Sequence, residues 1–384
     1  MIEGIKMCKR WFTVPDIYTD FTCKAGECRK TCCHGWHITL TMQEYYKLIG
    51  LNCSPELRRR LDGGIYMLES PTNERYAEFA KNYIGDCKMH GDDGLCTVQC
   101  ECGEDCLPSV CRYYPRSPKT LHGDECSMSA SCEGVCELLM KRKTPIGFKK
   151  VELEFKYYLP QKKDDFITSS YEKVRKMYIG VLQDRSISFS ERMKKVVMAS
   201  EIIAPALNNQ SSENLDEMLA ECESLNEKND CSAYNRETFE TVRHIIKRLC
   251  ERFPLDDYSE RINNTTYAEY EEKQKKFSEF YPDAEIISEQ LFVNHVFYMG
   301  FPYIIGVGAV LDCNTAAMSL AALYAVWRAI AVTCTESGSF EELSDITSEV
   351  FKMAETSNYY MCAAALLHET GCECTEKVMQ LCSL

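Results

Sequence analysis

Beyond position 150, apolar residues recur at three- and four-residue intervals, the period of a helix that turns one face to a core. The pattern predicts helices over 166–182, 190–203, 211–225, 236–253, 284–299, 316–332, 341–354 and 359–368. Ahead of position 150 the period breaks. Thr41 and Glu44 read as a capping box opening a short helix that runs to Leu48. Ser54 followed by Pro55 reads as an N-cap and first helical position. Stretches 65–69 and 76–80 flank a Ser-Pro-Thr-Asn turn and predict a small hairpin. From 86 to 118 the chain is rich in Cys, Gly, Pro and Asp, with little periodicity, and such a region needs staples. Pro145 and Gly147 interrupt the helical pattern and mark a join. The expected fold is mainly α, α+β at most. An irregular cysteine-rich metal- or cluster-binding region with a small β element (1–145) precedes a helical domain (146–384).

Composition sharpens the N-terminal half. Of the 24 cysteines, fifteen lie between Cys8 and Cys136. The first residues, MIEGIKMCKRWFTVPD, contain no apolar signal-peptide core, which puts the chain in the cytoplasm. Thiols stay reduced there, and dense cysteine spacing then points to metal or redox chemistry rather than disulfides. The net charge of −14 argues against nucleic acid as the main partner, since neutralising phosphates takes an excess of Lys and Arg. It would suit a lysine-bearing partner, although acidity often serves solubility alone. The apolar run 313–327 is shorter than the roughly 20 residues a bilayer crossing takes, so it reads as a buried core helix and no membrane association is expected.

The densest chemistry is Cys23 to Trp36, with cysteines at 23, 28, 32 and 33. Cys28 and Cys32 have the spacing that turns two thiolates toward one ion. The adjacent pair Cys32 and Cys33 suits a cluster or two neighbouring sites better than one tetrahedral centre, because neighbouring side chains usually diverge. A second group follows at 87, 96, 100, 102, 106 and 111, then 126, 132 and 136. Zinc and an iron–sulfur cluster fit the spacing equally. Isolated Cys222, Cys250, Cys313, Cys362 and Cys382 read as small buried hydrophobes.

The run Phe21-Thr-Cys23-x4-Cys28-x3-Cys32-Cys33-x-Gly35-Trp36-x-Ile38 resembles the opening motif of the flagellin lysine-N-methylase family. The likeness continues through Asp86-Cys87, Gly94-Leu95-Cys96, Gly103-Glu104, Cys111-Arg112-x-Tyr114-Pro115-Arg116 and Ser131-Cys132-Glu133. Leu291-Phe292-Val293-Asn294, followed by Gly300-Phe301-Pro302, resembles a C-terminal segment of the same family.

The resemblance implies transfer of methyl from S-adenosylmethionine to lysines of flagellin or a similar protein, with a cysteine-bound [4Fe–4S] cluster. It also implies metal ligands among Cys23, Cys28, Cys32, Cys33, Cys87, Cys96, Cys111 and Cys132. Eight thiols exceed the four one such cluster takes, so either a second metal is bound or some of the eight are not ligands. This sequence departs from the family pattern at Cys87-Lys-Met-His90 and in the additional Cys100, Cys102, Cys106, Cys126 and Cys136.

Trp36 and Tyr114 could offer aromatic faces to a sulfonium, and Arg112 and Arg116 could pair the cofactor's carboxylate. The plainer alternatives are ring packing beside the metal and neutralisation of a thiolate-rich centre. Gly306-x-Gly308 lacks the third glycine and the βαβ setting of a nucleotide loop. No catalytic residue is identifiable. The rival functions are a non-catalytic zinc- or iron-binding interaction module and an electron-transfer protein.

Overall fold

The computed structural model describes residues 8–120, 122–155, 165–225, 235–253, 255–304 and 310–383. Gly306-x-Gly308 lies outside the described residues. Strands are β1 (Cys8–Pro15), β2 (Thr39–Leu40), β3 (Ile65–Met67), β4 (Ala77–Phe79), β5 (Arg116–Lys119), β6 (Glu125–Met128) and β7 (Phe148–Phe155). Helices of the first part are α1 (Met42–Ile49), α2 (Pro55–Gly64), α3 (Thr97–Cys102), α4 (Ser109–Tyr113) and α5 (Glu133–Lys141). Then come α6 (Phe166–Leu182), α7 (Phe189–Asn208), α8 (Leu215–Glu223), α9 (Arg236–Cys250), α10 (Asp256–Asn263) and α11 (Tyr267–Phe280). The chain closes with α12 (Ala284–Met299), α13 (Cys313–Cys334), α14 (Phe340–Thr356), α15 (Tyr359–Glu369) and α16 (Thr375–Leu381). Among the described residues the fold is mainly α with two small sheets.

Local signals account for the ends of several elements. Thr41 accepts from the N–H of Glu44, whose carboxylate returns to the Thr41 N–H, so the capping box closes. Ser54 caps α2 with Pro55 in its first turn. The hairpin forms as β3 against β4, and β2 adds to it in the order β2-β4-β3.

The second sheet joins segments far apart in the sequence. Its order is β5-β6-β1-β7, with β1 antiparallel to β7 from Cys8↔Phe155 to Pro15↔Phe148 and parallel to β6. Alternation along β1 buries Phe12 and Val14 and leaves Trp11 in solvent, the period-two pattern of a strand with one face on a core.

Apolar contacts gather residues into two clusters. The smaller comprises Ile38, Leu40, Leu48, Leu57, Leu61, Ala77, Phe79, Cys87, Met89, Val98 and Leu107. The larger joins Phe12, Val14, Ile17, Tyr18 and Phe21 to β6, α5 and the C-terminal helices. The segment 141–147 links α5 to β7, and both contribute to that larger cluster.

Helix α13 is longer than its uncharged run suggested. Its 22 residues suffice in length and composition to cross a membrane, but 89% of its most apolar window is buried inside the protein. Arg328 sits within it, its guanidinium 4.7 Å from the ring centroid of Phe277, so the charge rests on an aromatic face.

Candidate metal centre

The two halves of the cysteine series are laced together by the backbone. Cys87 donates its N–H to the carbonyl of Cys33 at 2.8 Å, and Gly35 donates to Gly85 at 3.2 Å. His34 and Asp86 form an isolated bridge, reinforced where His34 Nδ1 meets Asp86 Oδ1 at 2.8 Å. A second bridge, His90 to Cys96, brings the next thiol back beside Cys87. Gly85, at φ +94°, and Gly94, at φ +77°, take the left-handed turns these returns require.

Between the strands of this lacing lies a cavity of about 560 Å³. Cys23, Cys28, Cys32, Cys33, Cys87, Cys96, Cys111 and Cys132 all line it, and so do Trp36, Arg112, Tyr114 and Arg116. Every site residue named from the sequence thus reaches one place. Among the described side chains, the other cysteines of the N-terminal half do not line it: Cys126 and Cys136 are core residues, while Cys53, Cys102 and Cys106 pack on the smaller cluster. Cys222, Cys250, Cys313, Cys362 and Cys382 are buried, as their helical settings implied.

Cys33, Cys87, Cys96 and Cys111 all belong to or pack on the smaller apolar cluster. Burial and then repulsion from Cys33, Cys96 and Cys87 push Cys111 up, and burial followed by Cys33 and Cys96 among its causes raises Cys87 to about 12. Cys28 rises to about 12 through burial, Glu133, Cys132 and Cys23, and Cys132 to about 11 through burial first and Cys23 among the rest.

The eight therefore fall into a quartet on the small cluster and a second group around Cys132, with Cys32 between them. The adjacent pair does not diverge. Cys32 and Cys33 both line the cavity and hydrogen-bond to each other, which raises Cys32 and lowers Cys33.

Apart from Cys33, which Cys32 favours as a thiolate, these crowded thiols are stable as neutral groups or as thiolates that a metal cation holds. The donor set therefore fits a thiophilic metal or cluster. As the side chains stand, no group of three or more His, Cys, Asp or Glu among the described residues forms a closed metal cage.

The aromatic and basic residues have definite partners. Trp36 donates from Nε1 to the Cys32 carbonyl, and its ring lies 5.3 Å from that of Tyr114. Arg112 donates through Nε (3.1 Å) and Nη2 (2.8 Å) to the Glu104 carbonyl and meets Asp105 at 3.3 Å. It clamps a turn. Arg116 lies over the rings of Tyr18 and Phe21, at 5.4 and 5.2 Å.

Sequence reasoning missed the residues that seat the cysteine loop. Glu133, its side chain fully buried, takes Lys24, Arg29 (3.1 Å) and the Lys30 N–H (2.7 Å). One face of α14 then follows the loop residue by residue: Asp345 pairs Arg29 at 2.9 Å and Glu349 pairs Lys30. Lys352 donates to the His34 carbonyl at 3.3 Å, and Glu355 accepts from Ser129 Oγ at 2.5 Å. Their spacing is that of one helix face, which in sequence reads as an ordinary solvated stripe.

Comparison with known proteins adds a family to this geometry. Residues 175–381 match the FliB lysine N-methylase C-terminal domain. The lysine-N-methylases of Salmonella choleraesuis and Salmonella typhimurium are each 28% identical over 130 residues, 33% of this chain and 32% of theirs. The flagellar biosynthetic protein FliU of Salmonella muenchen is 28% identical over 130 residues, 33% of this chain and 76% of its own length. The matched stretch spans about a third of the length of the two lysine-N-methylases. No solved structure matches the chain. Because the family match covers more than half of its 384 residues, the chain belongs to the FliB lysine N-methylase C-terminal domain family.

Proposed function

We propose that this chain is a cytoplasmic, S-adenosylmethionine-dependent protein-lysine N-methyltransferase that carries a [4Fe–4S] cluster and acts on flagellin or a similar lysine-bearing protein. The observation that carries the reading is the convergence of all eight family-patterned cysteines on one cavity, in a chain whose relatives are named lysine-N-methylase. Four thiolates are what one such cluster takes, and Cys33, Cys87, Cys96 and Cys111 are the quartet that would hold it. With all four thiolates bound its irons would be coordinatively complete, so it would staple the quartet and could carry an electron rather than hold the cofactor.

The chain's own residues would do the remaining work. Trp36 and Tyr114 line the cavity with aromatic faces that favour a sulfonium. Arg116 lines it too and is the cation best placed to meet a carboxylate, since Arg112 is committed to Glu104 and Asp105. In the transfer, a bond forms between the lysine nitrogen and the methyl carbon while the sulfur–methyl bond breaks and its electron pair stays on sulfur. The lysine must first lose a proton to become a nucleophile.

Two measurements test the reading. Protein purified without oxygen should be brown and contain iron and acid-labile sulfide; a colourless protein with stoichiometric zinc rejects the cluster. Incubation with methyl-labelled S-adenosylmethionine and flagellin should label lysine. A metal-bearing protein with no transfer would instead be an interaction module, a role that the ion pairs between the cysteine loop and α14 would equally serve.

A further inference from the structure

A carboxylate and an imidazole lie in the apolar core between α12, α14 and α15. Glu355 and His295 have no exposed side-chain surface, and Glu355 Oε1 meets His295 Nδ1 at 3.1 Å. Burying such a pair is costly unless every polar atom is satisfied, and groups of this kind concentrate at functional sites. Here the satisfaction is directional. On one side, Tyr360 OH lies 2.9 Å from His295 Nε2. On the other, Glu355 Oε2 accepts from Ser129 Oγ at 2.5 Å and from the Ser131 N–H at 3.3 Å. Ser129 Oγ and Ser131 Oγ hydrogen-bond to each other, and Ser131 Oγ lies 3.0 Å from Tyr114 OH. Tyr114 lines the cysteine cavity. An unbroken line of hydrogen bonds thus runs from the cavity wall to a buried acid–base pair.

We propose that Tyr114, Ser131, Ser129 and the Glu355–His295 pair form the proton path of the cavity, through which a substrate lysine is deprotonated before methyl transfer. The inference rests on the lysine-methyltransferase reading of that cavity.

Each hydroxyl in the line both donates and accepts, so each can take a proton on one side and release its own on the other. One lysine N–H bond breaks and one carboxyl O–H bond forms on Glu355. The ammonium becomes an amine as the carboxylate becomes a carboxylic acid, and total charge is unchanged. Glu355 is faced by His295 and Tyr298 from α12, Tyr360 from α15, Lys119 from β5, Cys136 from α5 and the two serines that follow β6. Glu355 and His295 act through Tyr114 and are positioning residues.

The test compares cluster-loaded wild type, Glu355→Gln and Tyr114→Phe in methyl transfer to flagellin between pH 6.5 and 10. Both variants should be slowed at least ~10-fold near neutral pH, with KM for flagellin unchanged. The deficit should close toward pH 10, where the lysine loses its proton to solvent unaided. Infrared difference spectra on mixing with flagellin should show a protonated carboxyl in the wild type and none in Glu355→Gln. An unaltered pH profile, or an equal loss at every pH, overturns the path while leaving the transferase reading standing. A wild type that transfers no methyl overturns the transferase reading and the path with it. Should Glu355→Gln fail to fold, Tyr114→Phe decides, since it removes one oxygen and keeps the ring on Trp36.

Discussion

Cys87 donates its backbone N–H to the carbonyl of Cys33 at 2.8 Å, and with the Gly35–Gly85 and His34–Asp86 links beside it this bond fastens the two halves of the cysteine series. It sets their thiols on a common wall, and Cys96 and Cys111 complete the quartet on the same apolar cluster. Replacing Cys33, Cys87 or Cys111 by Ser should therefore strip iron and sulfide from protein purified without oxygen. Cys53→Ser and Cys222→Ser, outside the cavity, should leave both unchanged. Metal loss in the second pair with retention in the first would reverse the assignment.

Glu133 is the buried anchor of the cysteine loop. Removing it takes one carboxylate from Lys24 and Arg29, which keep Glu137 and Asp345, and leaves the Lys30 N–H without its acceptor. Glu133→Ala should cost about 1–3 kcal/mol in denaturant unfolding, chiefly for the donor left without its acceptor, because the cations are partly exposed and keep other partners. Glu137 meets the same cations from a partly exposed position, and Glu137→Ala should cost at most about 1 kcal/mol. Equal effects would show that burial is not what gives Glu133 its weight.

Lys119 carries the clearest pH signature. Burial lowers its amine to about 8 from an ordinary 10.5, against a weaker upward pull from Glu355. Below about pH 8 the amine is charged in both the folded and the unfolded chain, and the burial cost is borne in full. Between about 8 and 10.5 the folded chain binds fewer protons than the unfolded one, so stability rises with pH. Lys119→Met should thus stabilise the protein by about 1–3 kcal/mol at neutral pH, the gain fading toward 10.5, as read by unfolding free energies across that range.

The two cavity arginines should separate in a binding experiment. Arg112 is occupied by the Glu104 carbonyl, whereas Arg116 lies over Tyr18 and Phe21. Calorimetric titration with S-adenosylmethionine should find Arg116→Ala ~10-fold weaker, about 1.4 kcal/mol. Arg112→Lys should bind normally but unfold about 1–2 kcal/mol more easily, since an ammonium cannot reproduce the two-point clamp. Normal binding by Arg116→Ala would remove it from the cofactor site.

Helices with a strong apolar period were legible nearly to their ends: 166–182 and 284–299 are α6 and α12 as read. Helix α11 escaped because its face is mostly charged, although Thr266 and Glu269 close the same capping box as Thr41 and Glu44. Strand β1 escaped for another reason. Its partner β7 lies at the far end of the cysteine-rich region, and a pairing between distant segments leaves no mark in either. Glu355 read as one more acid on an amphipathic helix. Only packing shows that it faces inward to His295.

What the sequence determined by itself is chemistry and local form: which thiols are patterned, where helices cap, and which cysteines are merely apolar. Those properties are written in neighbours a few residues apart, where side-chain type and backbone preference act directly. Only the tertiary structure decided that eight thiols from four separate segments share one wall. It also decided that the adjacent Cys32 and Cys33 turn the same way, and that a stripe on α14 seats the loop and reaches the cavity through Ser129 and Ser131. Such relations arise from burial and hydrogen-bond satisfaction between distant parts of the chain, and no short stretch of sequence contains them.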